Sequence, residues 1–122
     1  MAPTPIENLF AENPFTEQIC LLGRGYSKTV MVCVLSGLAQ QEERETVEAS
    51  LRQQALAANS EVDKHARIGA VLIATDPWTI ENGMLTPTMK IRREQVEQKY
   101  GEKAQAMARD AAERGELLLE WV

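Results

Sequence analysis

Two β-rich apolar runs, EQICLL at residues 17–22 and TVMVCVL at residues 29–35, are joined only by GRGYSK. So short a glycine-containing connector makes a hairpin the natural arrangement, with both runs serving as antiparallel core strands. The rest of the chain must pack around that pair. Upstream, Thr4, Pro5 and Glu7 read as an N-cap, a first-turn proline and a capping-box acid. They open a short helix carrying Ile6, Leu9 and Phe10, which Asn13 and Pro14 stop. Residues 40–58 contain strong helix formers with Val47, Leu51 and Ala55 four apart, the mark of a helix lying on the sheet.

A second short helix is expected over residues 61–67, and AVLIAT at 70–75 reads as a buried strand ended by Asp76 and Pro77. After the polar loop at 78–90, helical spacing returns with Val96, Tyr100, Ala104, Met107 and Ala111, and Gly101 is expected to divide this stretch into two helices. LLLEW at the end reads as an edge strand. The order predicts an α+β fold, a small mixed sheet with a β-hairpin, flanked by helices.

A length of 122 residues suits one domain with one core, and no run approaches the roughly 18 apolar residues needed for a membrane span. The start, MAPTPIENLF, lacks a basic segment followed by an apolar one, so no secretory signal is read and a cytoplasmic location is expected. A net charge of −5 argues against a nucleic-acid surface, and any phosphate ligand must meet a local basic cluster. Cys20 and Cys33 lie in apolar runs as small buried hydrophobes, with a disulfide open if the runs pair as neighbours. Together with the lone His65 they make no metal-ligand set. His65, among Asp63, Lys64 and Arg67, reads as a surface residue rather than a base.

Local rules fail at MLTPTMKIRR, residues 84–93. Lys90, Arg92 and Arg93 gather where a helix is expected to begin, although helix N-termini favour acids and disfavour exposed cations by about 0.3–1 kcal/mol each. One reading reserves the site for an anion, since amide donors, dipole and side-chain charge would act together there. The other lets long basic side chains extend into water at little cost. Before them, Asn82 and Gly83 form a turn, and Thr86, Pro87 and Thr88 impose an extended, locally hydrogen-bonded path that holds Lys90 outward. Trp78 reads as an anchor that packs under this loop.

The segment PWTIENGMLTPTMKIRR (77–93) resembles the C-terminal signature of long-chain fatty acid CoA ligases, members of the AMP-forming adenylating enzymes. In that family an ENG-L-TPT-K-RR pattern precedes the final helix. APTPIENLFAENPFTEQICLLG (2–23) is similar to the family's segment after the interdomain hinge, so the resemblance covers nearly the whole chain. The residues after about position 102 are less diagnostic.

The resemblance implies that residues 1–122 form the C-terminal lid domain of such an enzyme, whose large N-terminal adenylation domain, hinge and phosphate loop are absent from this sequence. It implies two half-reactions. A fatty acid and ATP, with Mg, give an acyl-adenylate and pyrophosphate; CoA then displaces AMP to give a thioester. The family lysine that meets the acyl carboxylate and the ATP α-phosphate falls on Lys90, and Arg92 and Arg93 would add substrate-binding charge. The lid rotates between the steps, and Arg24 and Lys28 beside the hairpin turn could then contact CoA phosphates, or simply be solvated. The chain alone is expected to be inactive and to hold no cofactor tightly, since it carries no glycine-rich phosphate loop. The competing reading is a freestanding, non-catalytic binding or regulatory module with the lid fold.

Overall fold

The computed structural model describes residues 7, 10, 13–23, 26, 28–61 and 67–122. Among these, four strands form one sheet in the order β1-β2-β3-β4: β1 (Thr16–Leu22), β2 (Thr29–Leu35), β3 (Ile68–Ala74) and β4 (Leu118–Trp121). The hairpin forms as expected, β1 antiparallel to β2 with Cys20 opposite Val32. Strand β3 joins β2 in parallel and β4 joins β3 in parallel, giving a mixed sheet. The run expected at 70–75 starts two residues earlier, and the register shifts between Thr29 and Val30, where Gly69 lies on β3. A Cβ on Gly69 would stand 2.4 Å from the Lys28 Cβ, so only glycine lets the two chains approach this closely.

Strand alternation sends the sheet's side chains into two cores. On one face Cys20, Val30, Val32, Leu72 and Ala74 pack with Val96, Tyr100, Ala104 and Met107 of α3 (Arg93–Arg114). On the other, Met31, Cys33, Val71 and Ile73 pack with Phe10 and with Val47, Leu51 and Ala55 of α2 (Arg44–Ser60). The two cysteines therefore sit on opposite faces of adjacent strands, buried and free, and no disulfide joins them. Burial pushes the Cys20 thiol up to about 11, partly opposed by Arg93, and burial alone pushes Cys33 up to about 12.

The helix expected over 40–58 forms as α2 but starts at Arg44, and a separate short helix ends at Gln40 before it. Ser36 caps the short α1 (Gly37–Gln40) by accepting from the Ala39 N–H, the chain breaks at residues 41–43, and α2 begins at Arg44. Helix propensity alone cannot reveal that Ser36 starts a separate turn. The division expected at Gly101 does not occur. This glycine is buried inside an unbroken α3, where packing of Val96, Tyr100, Ala104 and Met107 outweighs the roughly 1 kcal/mol propensity deficit of one glycine. The N-terminal helix falls largely outside the described residues, though Glu7 and Phe10 are helical and buried. The expected helix at 61–67 falls mostly outside them too, as does His65; Glu61 is a turn residue and Arg67 is not helical.

The sheet advances one way from β2 through β3 to β4, yet the first parallel connection carries its helices on one face and the second carries α3 on the other. Such connections have opposite hands, so one of the two departs from the near-universal right-handed rule. No helix among the described residues is long and apolar enough to cross a membrane.

Candidate functional site

The loop from Asp76 to Arg92 is built inward from both ends. At its start, the Gln18 side chain on edge strand β1 accepts from the Trp78 N–H (2.7 Å) and donates to the Trp78 carbonyl (2.9 Å). The Trp78 ring is buried, and its Nε1 donates to the Tyr100 hydroxyl of α3 at 3.3 Å. The anchoring role expected for Trp78 is thus met by a side-chain clamp below the loop and an aromatic neighbour behind it.

Asn82 then organises the first reversal. Its Oδ1 accepts from the N–H groups of Thr79 and Met84, its Nδ2 donates to the Pro77 carbonyl, and Gly83 takes φ +80. The turn expected at Asn82-Gly83 forms because asparagine substitutes for missing backbone partners and glycine accepts positive φ.

A second reversal follows. Residues 86–88 do not run extended, as expected, but turn tightly: Met89 N–H donates to the Thr86 carbonyl (2.8 Å) and Thr86 N–H to the Lys90 carbonyl (2.8 Å). Thr86 Oγ1 also accepts from the Lys90 N–H at 3.1 Å, so the Lys90 backbone is held on both sides by one threonine. A bridge between Leu85 and Ile91 and a bond from Arg92 N–H to the Met84 carbonyl close the loop beneath it. Lys90 itself is exposed.

The three basic residues are not equivalent. Arg93 opens α3, Arg92 is its N-cap, and Lys90 stands outside the helix. Arg92 pairs with Glu94 at 3.4 Å on the surface. Arg93 reaches the Glu7 carboxylate at 3.4 Å and donates to the Leu21 carbonyl, while the same carboxylate accepts from the Leu21 N–H at 3.1 Å. Lys90 makes no ion pair among the described residues. The unfavourable charge at the helix start is therefore offset by acids at Arg92 and Arg93, and of the three cations Lys90 alone makes no ion pair among the described residues. Sequence reading could not separate the three, because the partner of Arg93 lies 86 positions away.

Lys28 is exposed at the base of the hairpin turn, in a different segment from the Lys90 loop, and Arg24 lies outside the described residues. Among the described residues no group of three His, Cys, Asp or Glu side chains could hold a metal ion. Both thiols are too buried and too weakly acidic to serve as nucleophiles near neutrality.

A four-stranded mixed sheet with helices on both faces matches the C-terminal domain of adenylate-forming enzymes. The chain belongs to that family: residues 1–112 match the AMP-binding enzyme C-terminal domain. It is 33% identical over 105 residues, 82% of its length, to a chloroplastic long-chain-fatty-acid–[acyl-carrier-protein] ligase of Arabidopsis thaliana. It is 32% identical over 93% of its length to a carboxylic acid reductase of Segniliparus rugosus. The chain spans 14% and 10% of these two relatives. Among solved structures it is similar to the A-PCP didomain of the Segniliparus rugosus carboxylic acid reductase in complex with AMP. There the TM-score is 0.73 and the identity 29%, with 88% of this chain and 16% of that one covered.

Proposed function

We propose that the chain is the catalytic lid of a long-chain fatty acid CoA ligase, acting with an N-terminal adenylation domain of the same enzyme and with Lys90 as its catalytic group. The observation that carries this reading is the contrast within the basic cluster. Arg92 and Arg93 face acids at 3.4 Å, whereas Lys90, held by Thr86 through its backbone, keeps its ammonium exposed and unpaired among the described residues. Such an ammonium, brought against a fatty acid carboxylate attacking the ATP α-phosphate, would stabilise the negative charge gathered in that transition state. The bracing matters because a fixed loop positions the charge before the reaction. Rotation of the lid would withdraw Lys90 for the thiol step, when Lys28 and Arg24 of the hairpin could face CoA phosphates. Mg bound with ATP would neutralise phosphate charge. A cytoplasmic location belongs to the same reading, although relatives are named for the chloroplast and the peroxisome.

Two relatives favour a second reading of the acceptor. One is named as a ligase onto an acyl carrier protein, and one solved neighbour joins its A domain to a PCP domain. In that case the thiol would be carrier-borne rather than that of CoA. The test is fatty-acid-dependent ATP–pyrophosphate exchange by the intact enzyme, followed by thioester formation with CoA or a carrier protein offered separately. Exchange and a CoA thioester are expected. Exchange with transfer only to carrier protein supports the second reading, and no exchange with any carboxylic acid would end both.

A further inference from the structure

Met89 occupies a place that local geometry assigns to glycine. The segment from Thr86 to Lys90 is a three-residue reversal closed by Met89 N–H to Thr86 carbonyl and Thr86 N–H to Lys90 carbonyl bonds, both 2.8 Å. Its last loop position takes positive φ, here 67°, and Met89 is the one non-glycine residue among those described to do so. Reversals of this kind favour glycine there, because a Cβ is strained in the left-handed region. The residue present is instead a large apolar one, and it is 64% exposed, so burial within this chain does not offset the strain. It also immediately precedes Lys90, which makes no ion pair among the described residues.

The backbone bonds hold the reversal, but nothing described within the chain makes use of the large apolar side chain, which points to contact outside the chain. We propose that Met89 is a positioning residue: its side chain seats in an apolar recess of the large adenylation domain when the lid closes for adenylation, and this seating fixes the Lys90 ammonium at the reacting carboxylate. The occupant follows from the family and the coverage. A C-terminal domain spanning a small part of its relatives works against the remainder of the enzyme, and a flexible thioether suits a surface that must engage and release. The inference rests on the proposed role of Lys90.

The test combines two measurements on Met89→Gly, Met89→Asn and Met89→Leu. In the isolated chain, thermal unfolding reads the strain: Met89→Gly should raise Tm by about 2–4 °C, and Met89→Asn should not lower it. In the intact enzyme, single-turnover formation of acyl-adenylate reads the seating. Met89→Gly and Met89→Asn should lose about tenfold or more, the effect of removing one methionine-sized apolar contact, with transfer from supplied acyl-adenylate within about twofold of the parent. Met89→Leu should retain most of the rate. Asparagine tolerates the left-handed region while lacking the apolar body, so its loss would separate seating from glycine's flexibility. Adenylation at the parental rate in the Gly or Asn variant, or a lower Tm for Met89→Gly, would overturn the inference. Lys90→Ala measured in parallel separates the two claims: if it leaves adenylation intact the reading of Lys90 has failed, and if it alone impairs adenylation only the seating of Met89 has.

Discussion

The Glu7 carboxylate and the Arg93 guanidinium meet at 3.4 Å across 86 positions of sequence and enclose the backbone of Leu21 between them. Glu7 accepts from the Leu21 N–H and Arg93 donates to its carbonyl, so the outer rim of edge strand β1 is satisfied by side chains where a fifth strand would otherwise pair. The same contact ties the N-terminal segment to the residue that starts α3, three positions after Lys90.

Removing one partner should reveal how buried this pair is. Glu7 is 4% exposed, so Arg93→Met would take the cation away from a buried carboxylate and the donor away from the Leu21 carbonyl, and we expect a loss of about 2–4 kcal/mol in urea unfolding of the chain. Arg92→Ala, which breaks only a surface pair, should cost less than about 0.5 kcal/mol. Equal costs at the two positions would contradict the distinction drawn between them.

Gln18→Ala removes both bonds that hold the Trp78 backbone to β1 and leaves those groups without a partner. A loss of about 1–3 kcal/mol is expected, with the Trp78 amide exchanging its hydrogen faster while β2 amides stay protected relative to the new global stability. Unchanged exchange at Trp78 would show that the loop does not depend on this clamp.

The buried thiols set an alkaline limit. Cys20 and Cys33 ionise near 9 when unfolded but are pushed up to about 11 and about 12 in the fold, so the unfolded state releases its protons first. Their contribution is complete below pH 9 and is lost as pH rises through the folded values, with a slope of up to about 1.4 kcal/mol per pH unit for each thiol. Stability from denaturant unfolding should fall between pH 9 and 11, and Cys33→Ala should flatten that fall. A variant with the parental slope would rule out Cys33 as a source.

Much of this architecture is legible in the sequence because it is encoded locally. The β-rich runs around GRGYSK, the spacing of Val47, Leu51 and Ala55, and the final LLLEW each carry their own pattern, and each forms as expected. What local pattern misses depends on distant partners. Gly101 stays helical because α3 is packed against the sheet, and residues 86–88 turn because Thr86 brackets Lys90. In the basic cluster the three cations look alike until Glu7 and Glu94 claim Arg93 and Arg92. Met89 shows the reverse: nothing in a methionine signals positive φ.

The central claim is that Lys90 serves one half-reaction, and single-turnover kinetics of the intact enzyme carrying Lys90→Ala test it most directly. Removing a charge aimed at a transition state reduces rate by about two to three powers of ten, and Lys90→Arg should restore little, since a planar fork places its donors differently. We predict that loss in formation of acyl-adenylate from fatty acid and ATP, with transfer of a supplied acyl-adenylate to thiol close to the parental rate and Arg92→Ala nearly silent in both. Equal damage to the two half-reactions by Lys90→Ala, or none to either, would contradict the account.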